Sequence, residues 1–142
     1  MEVRLPCRLA GCEKCCYNTH MTLTPRDVER LEALGYKLEE FAVCEEGVCR
    51  LRNVDGHCYF LEPGRGCRVY RARPLGCRLY PVVCVEGEGL AVDAVCPLAL
   101  LALNKLRSDR RLVAAIAELI SRELGVRCPP RLLGLVDTEA VG

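Results

Sequence analysis

The sequence predicts a small mixed α+β fold, stapled by metal, with short hairpins and loops around the metal site and helices packed against them. Three observations support this prediction. Cysteine makes up 12 of the 142 residues, turns containing Gly and Pro separate short strand-like runs, and two segments carry the capping residues of helices. The chain has two Phe and no Trp, so we expect metal or disulfides to supply part of its stability.

We expect one compact domain in two parts. Residues 1–107 form a cysteine-cluster metal-binding domain, and residues 108–142 form a C-terminal helix and tail that pack on the same domain. A single domain is typical of a chain of 142 residues, and a hydrophobic fraction of 51% is enough for a modest core.

Charge and apolar patterning exclude several kinds of partner. The formal net charge of +1 argues against a polyanionic partner, so nucleic acid is not implied. The N-terminus lacks the apolar run of a signal peptide, and the longest apolar stretch, residues 97–103, is too short to cross a membrane. We therefore expect a cytoplasmic protein with metal as its partner and with no nucleic acid or membrane contact. A protein partner is compatible with the sequence but not identified by it.

Two groups of cysteines predict one metal-binding core. Cys58, Cys67 and Cys77 follow one another at intervals of nine and ten residues, separated by Gly and Pro turns. Upstream, residues 12–16 read Cys-Glu-Lys-Cys-Cys. A Cys-x-x-Cys turn directs two sulfurs at one ion, while the third cysteine suits a second metal or another corner of a cluster.

Local signals place the regular elements around these cysteines. Thr24 as N-cap, Pro25 and Gly35 bound a helix whose buried face carries Val28, Leu31 and Leu34. A short helical turn follows at residues 38–42, and Arg71 to Leu75 forms a single turn limited by Pro74. Two hairpins are predicted, one turning at Asp55-Gly56 and delivering Cys58 to the core, the other joining residues 79–85 to 90–95.

The C-terminal third is predicted to be helical. Pro97 opens one helix, Ser108-Asp109 caps a second, and Gly125 ends it. The apolar residues of the second helix recur at helical spacing, which indicates one buried face. The tail carries an apolar patch at residues 132–136, which either folds back or mediates association.

Four motifs carry a family resemblance. They are Cys-x-x-Cys-Cys near the N-terminus, Leu-Thr-Pro-x-Asp, Cys-x-Phe-Leu, and Cys-x-Val-Tyr-x-x-Arg-Pro-x-x-Cys-Arg-x-Tyr-Pro. From about Cys7 to Pro97 the chain resembles the YkgJ-type cysteine cluster family, whose domain is described as chelating zinc or iron. That family also includes a flagellin lysine methylase, which is similar to this chain only in the cysteine region.

The resemblance implies an eight-cysteine metal site. Its members here are Cys7, Cys12, Cys15, Cys16, Cys58, Cys67, Cys77 and Cys96. Cys7 departs from the pattern, because its gap to Cys12 is longer than the usual Cys-x-x-Cys. Four further cysteines lie outside the pattern and could form disulfides, stay as thiols or complete the site: Cys44, Cys49, Cys84 and Cys128.

The residues do not distinguish a [4Fe–4S] cluster from zinc, since cysteine thiolates bind both. The crowded Cys-x-x-Cys-Cys favours the iron–sulfur cluster slightly. Arg73 and Arg78 flank the cysteines as cofactor-binding candidates, because a guanidinium near thiolates offsets their charge; the alternative is that they pair with acids or stack on tyrosines. His20 and His57 could replace a thiolate, although a solvated or core histidine is the commoner case.

The hypothesis for function is a cysteine-ligated iron–sulfur or zinc protein with an accessory, electron-transfer or metal-handling role. One alternative is an enzyme that uses the cluster for redox chemistry or protein lysine methylation. No catalytic residues stand out, so whether the protein is an enzyme stays open. Another alternative is a disulfide-stabilised protein without metal.

Overall fold

The computed structural model describes residues 16–137. Over these residues the fold is mixed α+β, with five helices and four small sheets. They divide into two compact units, residues 16–78 and residues 79–137, and each is described by itself. The α+β prediction is therefore confirmed in its general class, while the boundary at residue 107 stays a prediction.

The first unit consists of short elements joined by tight turns. In order they are β1 (Thr22–Leu23), α1 (Pro25–Ala33), α2 (Leu38–Phe41), β2 (Ala42–Glu45), β3 (Val48–Leu51), β4 (Asn53–Val54), β5 (His57–Cys58), β6 (Leu61–Glu62), β7 (Gly66–Cys67), a 3-10 turn (Tyr70–Ala72) and α3 (Leu75–Leu79). Strand β3 lies between β1 and β2, and the pairs β4–β5 and β6–β7 each form a two-stranded sheet.

Helix α1 begins where its capping residues predict. The Thr24 hydroxyl accepts a hydrogen bond from the Asp27 amide, and the Asp27 carboxylate accepts one from the Thr24 amide, which is a complete capping box. Leu31 is fully buried on the inner face. Leu34 was predicted to share that face but is 56% exposed, because the helix ends at Ala33 and Leu34 is its C-cap.

Two hairpins of this unit have tight turns with positive φ at both central residues. Asp55 and Gly56 have φ of 53° and 83°, which confirms the predicted hairpin and suits a type I′ turn. The hairpin of β2 and β3 was missed: Glu46 and Gly47 have φ of 50° and 81°. Asp-Gly is a stronger turn signal than Glu-Gly, so the sequence did not predict a turn at Glu46-Gly47.

The segment around Cys77 differs from the prediction. Residues 79–85 were expected to form one strand, but Leu75–Leu79 is helix α3. Pro74 was expected to limit a turn, and instead it immediately precedes this helix, where its fixed φ is tolerated. Cys77 therefore lies on a helix rather than between turns.

The second unit packs two helices with a three-stranded sheet. Its elements are β8 (Val82–Val85), β9 (Gly89–Asp93), α4 (Ala99–Arg107), α5 (Arg110–Leu124) and β10 (Leu132–Val136). Strand β9 is central, antiparallel to β8 and parallel to β10, and all five of its residues are buried. The hairpin predicted at residues 79–95 is confirmed with shorter strands, and the apolar tail folds back as β10.

Caps define the long helix of the second unit. The Asp109 side chain accepts a hydrogen bond from the Leu112 amide, and Gly125 closes the helix at a φ of 68°, in the left-handed region. Val113, Ile116 and Ile120 are buried along one face, so the predicted apolar face is confirmed. None of the helices over residues 16–137 combines the length and hydropathy needed to cross a bilayer.

Replacing Gly89 tests the junction of β9 and β10. Its φ is 147°, and an added Cβ would overlap the backbone carbonyl of Arg131, which also accepts a hydrogen bond from the Leu90 amide. Because a strand backbone cannot move aside as a side chain can, we expect Gly89→Ala to lower the free energy of unfolding by about 1–3 kcal/mol in urea denaturation.

Gly87→Ala is the matched control. Gly87 also has a positive φ, 78°, but an added Cβ there meets no atom within 4 Å. Gly87→Ala therefore places alanine at a positive φ, which lowers stability, but it creates no steric overlap. Equal losses in the two variants would contradict the overlap at Arg131.

Candidate metal centre

Five of the eight predicted ligands lie in the described residues. Cys16, Cys58, Cys67 and Cys77 belong to the first unit, and Cys96 belongs to the second. The other three, Cys7, Cys12 and Cys15, lie outside the residues that the structure describes. The eight-residue ligand set as a whole therefore stays a prediction.

Cys58 is the buried member of the four predicted cysteine ligands described in the first unit. It lies on β5 with 6% of its surface exposed, and its Sγ accepts a hydrogen bond from the Phe60 amide at 3.4 Å. Such N–H···S contacts offset negative charge on a thiolate and are typical of cysteine ligands. The type I′ turn at Asp55-Gly56 determines where Cys58 lies, because it fixes the strand register in which Cys58 pairs with Asn53.

An isolated bridge brings Cys16 to the same hairpin. Tyr17 pairs with His57 in antiparallel fashion, and the Asn18 amide donates to the Gly56 carbonyl at 2.9 Å. This register sets Cys16 opposite Cys58, the residue that follows His57. The pattern of residue types in the sequence did not indicate this pairing.

The side chain of Asn53 holds the residues that follow Cys16. Its Oδ1 accepts from the Thr19 amide at 3.0 Å, and its Nδ2 donates to the Thr19 carbonyl at 2.9 Å. One side-chain amide thus satisfies both backbone groups of Thr19, as a strand partner would. Sequence reasoning missed Asn53, since its partner lies 34 residues away.

Cys67 is connected to the hairpin of Cys58 by Phe60. Strand β7 pairs Cys67 with Leu61, and the Phe60 carbonyl accepts a hydrogen bond from the Arg68 amide at 2.8 Å. The amide of Phe60 contacts the sulfur of Cys58, while its carbonyl holds the residue after Cys67. Two hairpins that each carry a predicted ligand are therefore joined by one buried residue.

Cys77 is positioned by α1. The Asp27 Oδ1 accepts from the Leu75 amide at 3.0 Å, at the start of α3. Arg30 donates to Asp27 at 2.8 Å and to the carbonyls of Ala72 and Arg73 at 3.3 and 2.9 Å. The Asp27 side chain is 1% exposed, so these hydrogen bonds form away from competing water.

The four cysteines share one hydrophobic cluster. Cys58 is among its buried residues, together with Leu31, Phe41 and Phe60, and Cys16, Cys67 and Cys77 pack against it. The structure thus brings together four of the predicted ligands that are widely separated in sequence. Within residues 16–137, however, no three His, Cys, Asp or Glu side chains converge closely enough to hold an ion.

Cys96 has the same local geometry as Cys58. It is 5% exposed in the second unit, and its Sγ accepts a hydrogen bond from the Leu98 amide at 3.4 Å. In both cases the donor is the amide two residues further along the chain. The two cysteines share this local hydrogen bond, and their assignment to one site stays a prediction.

The four cysteines outside the predicted set form two disulfide pairs. Cys44 pairs with Cys49, and Cys84 pairs with Cys128. Of the roles left open for them, disulfide formation is the one that the structure shows. None of the five described cysteines of the predicted set takes part in either disulfide.

A family model decides the relationship to known proteins. The model of the Cys-x-x-Cys-x-x-Cys-Cys family, described as a putative zinc- or iron-chelating domain, matches residues 6–97. The chain belongs to this family. No curated protein and no solved structure matches it in the other two comparisons. The family's description supports metal binding in its general sense, and the matched residues contain all eight predicted ligands.

The chemistry of the surrounding residues fits a thiolate-bound metal of this family. The Nε of Arg78 is buried and has no hydrogen-bond acceptor among the described residues. A buried guanidinium N–H without an acceptor is costly, and Arg78 follows Cys77 directly in the sequence. Thiolates around a metal carry net negative charge and accept such donors, so this donor fits the implied group.

The other candidate side chains have partners of their own. The Arg73 guanidinium lies 3.9 Å from the centroid of the Tyr70 ring, and its Nε donates to the Tyr70 carbonyl, which is the stacking alternative. His57 is half-buried, with Nδ1 3.0 Å from the Cys58 carbonyl, and His20 is exposed. A role in metal binding for Arg73 stays a prediction.

One ionisable group at the edge of the cluster is perturbed. The hydroxyl of Tyr59 donates to Glu40 at 3.1 Å. This hydrogen bond, supported by desolvation, raises the pKa of Tyr59 above its usual value, because the phenolate would face the Glu40 carboxylate. Tyr59 therefore stays a neutral donor at physiological pH.

Substituting Asp27 tests how Cys77 is positioned. Asp27→Ala removes the acceptor for the Thr24 and Leu75 amides and leaves Arg30 without its carboxylate. We expect the free energy of unfolding in urea to fall by roughly 2–4 kcal/mol, with a smaller fall for Asp27→Asn, which keeps one oxygen acceptor.

Glu29→Ala is the control, since Glu29 is an exposed carboxylate on the same helix. We expect it to change stability by no more than about 0.5 kcal/mol. If Asp27→Ala were as mild as Glu29→Ala, the buried hydrogen bonds of Asp27 would not carry the stability assigned to them.

Proposed function

We propose that this protein binds a metal through cysteine thiolates, as a [4Fe–4S] cluster or as zinc, and that it serves an accessory, electron-transfer or metal-handling role. The observation that carries the proposal is the shared cluster of Cys16, Cys58, Cys67 and Cys77. Membership of a family described as zinc- or iron-chelating supports it. Cys7, Cys12, Cys15 and Cys96 complete the proposed ligand set.

The iron–sulfur cluster is the preferred form. Three sulfurs within residues 12–16 suit the corners of a cluster more readily than one tetrahedral ion. A [4Fe–4S] cluster bound here would supply one-electron chemistry. The protein's own part would be to hold the thiolates, to donate hydrogen bonds to their sulfurs and to exclude water.

Metal content tests the proposal directly. Anaerobically purified protein should contain iron and acid-labile sulfide and show broad visible absorption. One or two equivalents of zinc without colour would replace the preferred cluster by zinc and keep the thiolate site. Protein that purifies without metal, and takes up neither zinc nor iron with sulfide, would refute the proposal.

Variants of single cysteines test the ligand set. Cys58→Ser and Cys77→Ser should each lower bound metal to less than half of the wild-type content, because serine is a poor ligand for these soft or borderline metals. Cys44→Ser combined with Cys49→Ser is the control, since both residues lie outside the proposed set. Loss of metal in that control alone would contradict the assignment.

Arg78 should strengthen metal binding without contributing a ligand. In Arg78→Gln the charge beside Cys77 is removed, so we expect metal affinity in a chelator competition to fall by about 10- to 100-fold. Arg71→Gln removes an exposed charge from the same segment and is the matched control. Equal affinities for wild type and Arg78→Gln would show that the buried Nε does not face the metal site.

A further inference from the structure

The hairpin of β2 and β3 carries a pair of cysteines that the proposed metal site does not use. Cys44 and Cys49 face each other directly in the antiparallel register, with Cα atoms 4.0 Å apart. The turn of Glu46 and Gly47 sets this register through its two positive φ angles. The two sulfurs are therefore held together by the backbone, whether or not they are bonded.

The two sulfurs differ in their surroundings. Cys44 is exposed, so a thiol in solution has a path to its Sγ. Cys49 is half-buried and packs against the hydrophobic cluster of the first unit. Exchange needs access along the S–S axis to the sulfur that is attacked. Attack at Cys44, with Cys49 as the leaving group, is the direction that this geometry allows.

The fold of the hairpin does not depend on the disulfide. Backbone pairing joins β2 to β3 along four residue pairs, and β1 pairs with β3 on its other side. The disulfide closes a loop of only five residues' separation, and a short loop removes little entropy from the unfolded chain. Reduction should therefore leave the hairpin in place.

The second disulfide spans a much longer separation than the first and includes a buried cysteine. Cys84 and Cys128 are 44 residues apart, and Cys128 is 6% exposed. The Cys128 amide and carbonyl are both hydrogen-bonded to the Ser121 hydroxyl. Cys84 is half-buried, so neither cysteine of this pair is as exposed as Cys44. A disulfide across a long separation stabilises structure more than one across a short separation, and a thiol in solution has less access to this pair than to Cys44. The reduction rate of Cys84–Cys128 therefore serves as an internal reference for the reduction rate of Cys44–Cys49.

We propose that Cys44 and Cys49 form a surface thiol–disulfide exchange site whose substrate is a dithiol. A thiolate of the dithiol attacks Cys44 Sγ, forms a mixed disulfide and releases Cys49 as a thiolate, which takes up a proton. The second thiol of the reductant then breaks the mixed disulfide and releases Cys44. The protein pair gains two electrons and two protons, and the dithiol becomes a disulfide.

Native-state reduction tests this site. The intact protein is treated with dithiothreitol without denaturant, quenched by alkylation and mapped by peptide mass. We expect Cys44–Cys49 to open at least about tenfold faster than Cys84–Cys128, with an unchanged circular dichroism spectrum, and to close again with oxidised dithiothreitol. Equal rates, or opening of Cys44–Cys49 only in urea, would overturn the proposal.

A pair of single variants tests the direction of attack. In Cys49→Ser, Cys44 should form a mixed disulfide with an aromatic disulfide reagent at least about tenfold faster than Cys49 does in Cys44→Ser. Peptide mapping separates these residues from the other cysteines. Faster reaction at Cys49 would reverse the assigned roles and overturn this mechanism. Neither residue belongs to the proposed ligand set, so failure here is distinguishable from failure to bind metal.

Discussion

The buried carboxylate of Asp27 is the interaction on which the first unit depends. A carboxylate with 1% exposure is stable only when its oxygens are hydrogen-bonded. Here the Thr24 and Leu75 amides and the Arg30 guanidinium supply those bonds. The same residue caps α1 and opens α3, so the first helix of the unit and the helix of Cys77 are fixed by one side chain. Arg30 extends this connection to two carbonyls before Pro74.

Elements set by local chemistry could be predicted from the sequence. The Thr24 cap, the Asp109 cap and the Gly125 terminator act within one turn of their helices, and Asp55-Gly56 encodes its own hairpin. Elements set by distant partners could not. Helix α3 contains Gly76, a poor helix former, and its first amide is bonded by a residue 48 positions earlier. The partner of β10 was equally hidden, because an apolar run does not specify which strand edge it joins.

The candidate site also combines residues that the sequence predicts with residues that only their distant contacts reveal. The family motifs singled out Cys58, Cys67 and Cys77, and the structure gathers them with Cys16 on one cluster. The motif Leu-Thr-Pro-x-Asp contains Asp27, but it did not reveal the contact of Asp27 with α3. No sequence pattern pointed to Asn53, because its partner Thr19 is 34 residues away. The pairing of the extra cysteines was open because one sequence contains no information on which sulfurs approach each other. Cross-strand register decides it for Cys44 and Cys49.

The central position of β9 has a consequence for synthesis of the chain. Strand β8 precedes it and can pair as soon as both have left the ribosome, but β10 follows only after α4 and α5. Until then one edge of β9, in a strand whose five residues are all buried in the finished fold, presents unpaired amides and carbonyls. Exposed apolar edges of this kind are where nascent chains recruit chaperones or associate wrongly. Translation therefore leaves this protein vulnerable over the interval in which α4 and α5 are made.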